Sequence, residues 1–299
     1  MREESKGTLY CLIEAFLSGL LPVFVFLGVK NLPALGFAAV SSLLGAIAAF
    51  AYLLVSGKIA ELKNKKAYES MVLVALCIVI IPYSLLFIGA KHMSGVNVAI
   101  LGLVEVVTTL IFTHYIGEKT TRIKIASSVL ILLGAVLVMW QKGFQFNFGD
   151  VLIVLSTFFY PIGNFHAKKA LNYVTPATIL TVRFFLGAIF LGLLALIFEG
   201  INLAPFVAST SAIVLVLANG LIVFGFGKVF WYEGMKRVDI TKAISIVMTY
   251  PLFALIFLIG FLDEKVTLIK AIGIAVMLVG LYLSILRQST KKSLTKYAS

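Results

Sequence analysis

Gly89-Ala90-Lys91, Glu118-Lys119, Lys124 and Gly134 recur in the same order as Gly234-Met235-Lys236, Glu264-Lys265, Lys270 and Gly280. Upstream, Leu44-Gly45-Ala46-Ile47 returns as Leu186-Gly187-Ala188-Ile189, and Pro33 returns as Pro176, so about 140 residues are used twice. The offset drifts from 142 to 146, which requires a few insertions. Each copy carries five long apolar segments. Because five is odd, the second copy must enter a bilayer upside down relative to the first, and inverted repeats point to transport.

Composition excludes the main alternatives. With 61% hydrophobic residues and a mean hydropathy of +1.07, 299 residues hold too little polar surface to solvate a globular domain. Apolar runs of roughly 17 to 25 residues, enough to cross about 30 Å of hydrocarbon, predict an all-α integral membrane protein of ten helices. The first five fall near 8–29, 34–56, 69–90, 95–116 and 122–141, and the second five near 148–167, 176–198, 211–234, 241–262 and 267–287. The repeats then span 7–141 and 147–287, followed by a basic tail over 288–299.

The net charge of +12 reads as topology rather than nucleic-acid binding, since the Lys and Arg residues sit in short loops and tails. With the amino terminus in the cytoplasm, 18 of them fall inside and five outside, at Lys30, Lys91, Lys142, Lys265 and Lys270. That asymmetry places both termini on the cytoplasmic side of a multi-pass cytoplasmic-membrane protein. Cys11 and Cys77 lie within predicted helices without metal-ligand spacing, and no disulfide, metal or cofactor is expected.

Ten helices in two inverted units resemble the drug/metabolite transporter superfamily, in particular its EamA-type permeases. The resemblance rests on Thr178-Ile179-Leu180-Thr181-Val182-Arg183-Phe184-Phe185-Leu186-Gly187-Ala188 and on two corners. Ile116-Gly117-Glu118-Lys119 leads to the Gly134 helix, and Phe261-Leu262-Asp263-Glu264-Lys265 to the Gly273 and Gly280 helix. One departure stands out: the first half has Ser41 where the second has Arg183. The resemblance implies an alternating-access carrier with its site between the repeats, lined by the first, third and fourth helices of each. Pro161-Ile162-Gly163-Asn164 on that lining is the best candidate for a bend that frees carbonyls toward a cavity. The glycines nearby, Gly19, Gly225 and Gly227 among them, read first as helix-packing positions.

Ionisable groups at membrane depth are costly and therefore functional candidates. Glu14, Arg183 and Lys228 each lie about 10 Å below the inner surface at 1.5 Å per residue, a set that suits an inner gate or a substrate's charge. The competing reading has both cations snorkelling to the interface independently. Glu105 falls at the bilayer centre, on a helical stripe with Asn97, Leu101 and Thr108 or Thr109. Burial without a fixed cation poises such a carboxyl for proton exchange; the plain alternative is an interhelical hydrogen-bond donor. Asn164, Tyr160, Trp231, Tyr250 and Tyr83 are placed as cavity walls, with Trp231 one turn from Lys228. Glu118 and Glu264 read as helix-capping residues.

The function expected from these residues is secondary transport of a small organic metabolite, an amino acid among the candidates, by rocking of the two halves. Glu105 serves as the candidate proton carrier, and one chain is sufficient in principle. Without a Gly-x-x-x-x-Gly-Lys-Ser/Thr loop, energy must come from a gradient. Phosphorylated or nucleotide sugars are the alternative cargo, needing more clustered cations than Arg183 and Lys228 supply. A non-transporting scaffold is a second alternative. A membrane enzyme would need a His-Glu-x-x-His helix or paired aspartates, which the segments lack.

Overall fold

The computed structural model describes residues 3–115, 121–139, 147–200, 202–238, 243, 246–262 and 266–286. The first half runs α1 (Glu3–Asn31), α2 (Ala34–Val55), α3 (Lys65–Ala90), α4 (Gly95–Phe112) and α5 (Arg122–Met139). The second half runs α6 (Phe148–Ala170), α7 (Pro176–Phe198), α8 (Thr210–Met235), α9 (Tyr250–Leu262) and α10 (Leu268–Leu286). Seven of these are long and apolar enough to cross a membrane, while α5, α9 and α10 hold shorter apolar stretches. The described surface is dominated by side chains that only lipid would solvate cheaply: Ile47, Leu133, Ile197, Phe226 and Ile256 all stand exposed. The corner residues Glu118, Lys119, Asp263, Glu264 and Lys265, and the basic tail, lie outside the described residues.

The two halves pack as a twofold pair. Helix α2 lies against α7, α5 against α10, α1 against α8 and α9, and correspondingly α6 against α3 and α4. The repeated glycines are the reason these contacts are close. A Cβ on Gly7 would meet Arg237 and Val238 at the end of α8, and one on Gly89 would lie 3.0 Å from the Gly149 carbonyl at the start of α6. Gly45 accommodates Phe224 of α8, and its counterpart Gly187 accommodates Val79 of α3. Between α5 and α10, a Cβ on Gly273 would stand 2.8 Å from the Gly134 carbonyl, and one on Gly280 2.8 Å from that of Ser127. In hydrocarbon, where burial of apolar groups gives no preference for protein over lipid, such backbone approach is what holds helices together.

Two carboxylates show the relative direction of α2 and α7. Glu61, on the short turn Ile59–Lys63 after α2, accepts from the Thr175 backbone N–H at 2.6 Å and from the Thr175 and Thr178 hydroxyls at 2.7 and 2.8 Å, at the start of α7. Glu199, just past the end of α7, accepts from the Leu35 and Gly36 N–H groups at the start of α2. Each helix therefore begins where the other ends, with an anion at both positive helix ends. The glycine contacts make α1 antiparallel to α8, α6 to α3 and α5 to α10 in the same way, so the repeats are inverted.

Interior interruptions are also paired. Wide π-helical turns occupy Ala75–Ile80 in α3 and Ala218–Gly227 in α8, overlapping at the 145-residue offset. The 3-10 turn Gly102–Val104 interrupts α4, and Met248 and Thr249 form a turn just ahead of α9. The run expected from 241 is thus broken before Pro251, whose missing N–H cannot donate to the Val247 carbonyl one turn back. Helix α6 breaks at Phe158 and Phe159, one turn before Pro161.

Two outcomes test this packing. Leucine at Gly273 should destabilise the fold by about 1 to 3 kcal/mol through overpacking, whereas alanine at Gly192, which faces open space, should not; melting temperature in detergent separates them. Burial opposes ionisation of Glu61, but the Thr175 and Thr178 hydrogen bonds and Lys58 outweigh it and hold its carboxyl below the ordinary glutamate value. Its contribution is complete above the unfolded-state value and is lost as pH falls through the lower folded-state value. Glu61→Ala should therefore cost about 1 kcal/mol at neutral pH, with the difference from wild type closing below about pH 4.

Candidate functional site

The interruptions surround one cavity of about 160 Å³ at the centre of the bundle. Helices α1, α3, α4, α6, α7 and α8 all contribute to its wall, together with the approach to α9. The break in α4 puts Glu105 on this wall, and the turn ahead of α9 puts Tyr250 there. The two breaks abut, since a Cβ on Gly102 would occupy the place of the Tyr250 hydroxyl. Glycine at 102 is thus what lets the two fourth helices meet.

Pro161 frees a backbone carbonyl, though not into the cavity. Its missing N–H leaves the Thr157 carbonyl without its helical partner, and the Thr108 hydroxyl of α4 donates to that oxygen at 2.8 Å. The bend expected at Pro161-Ile162-Gly163-Asn164 therefore occurs, and its freed acceptor ties α6 to α4. Gly163 packs on Ile78 within the wide turn of α3, while Asn164 and Tyr160 remain on the cavity wall.

Glu14, only 1% exposed, is the most deeply held carboxylate on the wall. Its Oε1 pairs with Lys228 Nζ at 2.5 Å and accepts from Ser18 Oγ at 2.7 Å, and the ammonium also donates to Ser18 at 2.9 Å. The pair joins α1 to α8 across the repeat interface, and a Cβ on Gly227 would stand 3.0 Å from Glu14 Oε2. Lys228 is accordingly not a snorkelling side chain. Neither is Arg183, 2% exposed on α7. It does not complete a three-membered ion network with the pair, because its guanidinium donates instead to the Tyr232 hydroxyl at 3.2 Å. The guanidinium also stacks 4.5 Å from the Phe184 ring centroid. From there an aromatic column continues through Phe224, 5.2 Å from Phe184, to Tyr83 on the cavity wall, 4.8 Å further.

Of the ten side chains singled out in the sequence, nine line this cavity: Glu14, Arg183, Lys228 and Glu105 with Tyr83, Tyr160, Asn164, Trp231 and Tyr250. Asn97 stands apart. Its amide donates to Asp150 Oδ1 at 3.1 Å, next to a contact between Lys270 and Ser94, where α4, α6 and α10 begin. Eight residues already turn a regular helix about 80° past two full turns, and the 3-10 turn at 102–104 adds roughly 20° per residue. The stripe that seemed to join Asn97 to Glu105 is thereby twisted apart. Ser18 and Gly102 went unnoticed in the sequence reading; the signal for Ser18 was its position one turn after Glu14. Among the described residues no three His, Cys, Asp or Glu side chains gather as metal ligands would.

The EamA-like transporter family profile matches the chain twice, over residues 5–140 and 147–286. The chain belongs to the EamA-like transporter family. Among proteins of this kind, an uncharacterized transporter of Archaeoglobus fulgidus is 28% identical over 271 residues, 89% of this chain and 92% of its own length. The uncharacterized transporter YoaV of Bacillus subtilis is 21% identical over 270 residues, covering 89% and 91%. A solved crystal structure with 17% identity superposes with a TM-score of 0.72 over 97% of this chain and all of its own, a likeness of fold. In this chain the fold thus places acidic side chains of the first repeat and basic side chains of the second around one central cavity.

The pair at its edge makes a measurable demand. Lys228→Met leaves Glu14 buried without its cation and should cost about 3 to 5 kcal/mol. Adding Glu14→Gln should recover most of that loss, a coupling that a double-mutant cycle on thermal stability reads directly.

Proposed function

We propose that this EamA-like protein is a gradient-driven carrier that moves a small organic metabolite across the cytoplasmic membrane by alternating access. The observation that carries the reading is the convergence of both repeats on one cavity, with charged groups in its wall. Inverted halves meeting at a central site can rock about it and expose it to either side in turn. The loops' cation asymmetry favours cytoplasmic termini. Family analogy favours export over uptake. One chain contains both repeats, so a monomer suffices in principle.

Glu105 is the candidate proton carrier. Lys228, Tyr160 and Tyr250 lie within its electrostatic reach, yet its carboxyl forms no ion pair or side-chain hydrogen bond among the described residues. A carboxyl free of fixed partners can change protonation without breaking the fold. Glu14, tied to Lys228 and Ser18, suits a gate that opens when the repeats separate.

Liposomes containing the purified protein provide the test. Counterflow of a labelled substrate should be present in wild type and retained by Glu105→Gln, while flux driven by an imposed pH gradient should fall in the variant by at least about tenfold, the scale of a lost general acid or base. PH-driven flux equal to wild type in Glu105→Gln would remove Glu105 from the coupling. Absence of counterflow for amino acids, organic cations and phosphorylated metabolites alike would favour a scaffold.

A further inference from the structure

We infer that Lys270, Ser94, Asn97 and Asp150 form the gate that closes the cavity at the end of the bundle where α4, α6 and α10 begin. The cation count reads that end as external. The inference rests on the carrier reading and names the side chains that control access to the same cavity.

The four residues make a chain of hydrogen bonds in which every donor points the same way. The Lys270 ammonium donates to Ser94 Oγ at 3.3 Å, the Ser94 hydroxyl to Asn97 Oδ1 at 3.1 Å, and the Asn97 amide to Asp150 Oδ1 at 3.1 Å. A cation thus stands at one end and a carboxylate at the other, within electrostatic reach of each other. Asp150 is 2% exposed, Asn97 3% and Lys270 6%, so little water competes for these bonds. Head-to-tail links in such an interior polarise one another and therefore hold or fail together.

Position makes this chain a closure. It crosses between the repeats twice, because Ser94 caps α4 and Asn97 lies in its first turn, whereas Asp150 and Lys270 lie in the first turns of α6 and α10. The cavity wall starts directly beneath it: Val98 follows Asn97, and Ile153 is one turn further along α6 than Asp150. Separation of α5 from α10, which meet through glycine backbone, would bare apolar surface. Separation at Asn97 and Asp150 bares an amide, a hydroxyl and two charges, which water entering the mouth solvates. The other repeat does not duplicate the device. Thr8 stands where the second repeat has Asp150, and its hydroxyl turns back to the Glu4 carbonyl of its own helix at 3.0 Å. Glu14 and Lys228, by contrast, join α1 to α8 by a direct ion pair. The two interfaces are held by different bonds, so one can open while the other stays shut.

The experiment reads access to the cavity. In the full chain carrying Cys11→Ala and Cys77→Ala, Ser156→Cys on the cavity wall serves as reporter. A membrane-impermeant methanethiosulfonate is applied to right-side-out and to inside-out vesicles. With the four residues intact, labelling from the face where α4, α6 and α10 begin should be slow. Asp150→Ala, Asn97→Ala and Lys270→Met should each speed it about tenfold or more, the scale of one lost charge-assisted hydrogen bond. Labelling from the opposite face should stay level or slow. Asp150→Asn, which keeps an acceptor for Asn97, should fall between wild type and Asp150→Ala. Ser94→Ala breaks the middle link with little change of volume and keeps the test decisive if a charge variant does not fold. The inference is overturned if none of the folded variants speeds labelling from that face, or if labelling rises equally from both faces, as a loosened fold would give. Counterflow in liposomes separates the two levels. A one-sided gain in labelling without counterflow in wild type defeats the carrier reading alone, and counterflow with labelling unchanged in every variant defeats the gate alone.

Discussion

A helix interrupted inside hydrocarbon must find another partner for every carbonyl and N–H it releases, and this constraint determines where the cavity can lie. The breaks in α4 and α6, the turn ahead of α9 and the wide turns of α3 and α8 all occur where another helix or the central space can meet the backbone. The Thr157 carbonyl shows how the demand is met. Pro161 cannot donate to it, and Thr108 of the facing helix does. Irregular backbone thus becomes a joint between repeats, and the side chains next to each joint, Glu105 and Tyr250 in particular, are delivered to the cavity wall.

The helix packing that supports those joints depends on backbone approach. Repeated glycines let α5 meet α10 and let the start of α1 meet the end of α8, with the same contact between α6 and α3 on the opposite side of the pseudo-twofold axis. Glu61 and Glu199 add an anion at the starts of α7 and α2. Symmetry of this kind builds the shell, and departures from it build the site. Ser41 hydrogen-bonds Asn219, whereas its counterpart Arg183 carries an uncommitted charge to the wall. Glu105 and Tyr250, similarly placed after the breaks of their halves, put a carboxyl and a phenol on that wall.

Much of this was visible in the residues, for identifiable reasons. Long apolar runs are dictated by bilayer thickness, and the duplication by direct comparison of Leu44-Gly45-Ala46-Ile47 with Leu186-Gly187-Ala188-Ile189. Rare charges in apolar segments pointed to Glu14, Glu105, Arg183 and Lys228, because such groups persist only where something compensates them. Asn97 was misplaced since regular helical spacing was extended across Gly102, where the helix tightens. Gly102 itself, a residue without a side chain, announced nothing of the Tyr250 hydroxyl that fills its space.

The amino-acid sequence by itself determined the all-helical membrane class, the two inverted units and the small set of charged residues that the bilayer must tolerate. Those follow from local hydrophobicity, from repetition and from the energetic cost of charge in lipid, none of which needs coordinates. Only the tertiary structure decided which charges are spent on one another. Glu14 and Lys228 are 214 positions apart in the chain and 2.5 Å apart in space, while Arg183, enclosed by Tyr232 and Phe184, is left without an anion among the described residues. Pairing in a low-dielectric interior is governed by distances of a few ångströms between helices, and that information arises only when the two halves are packed.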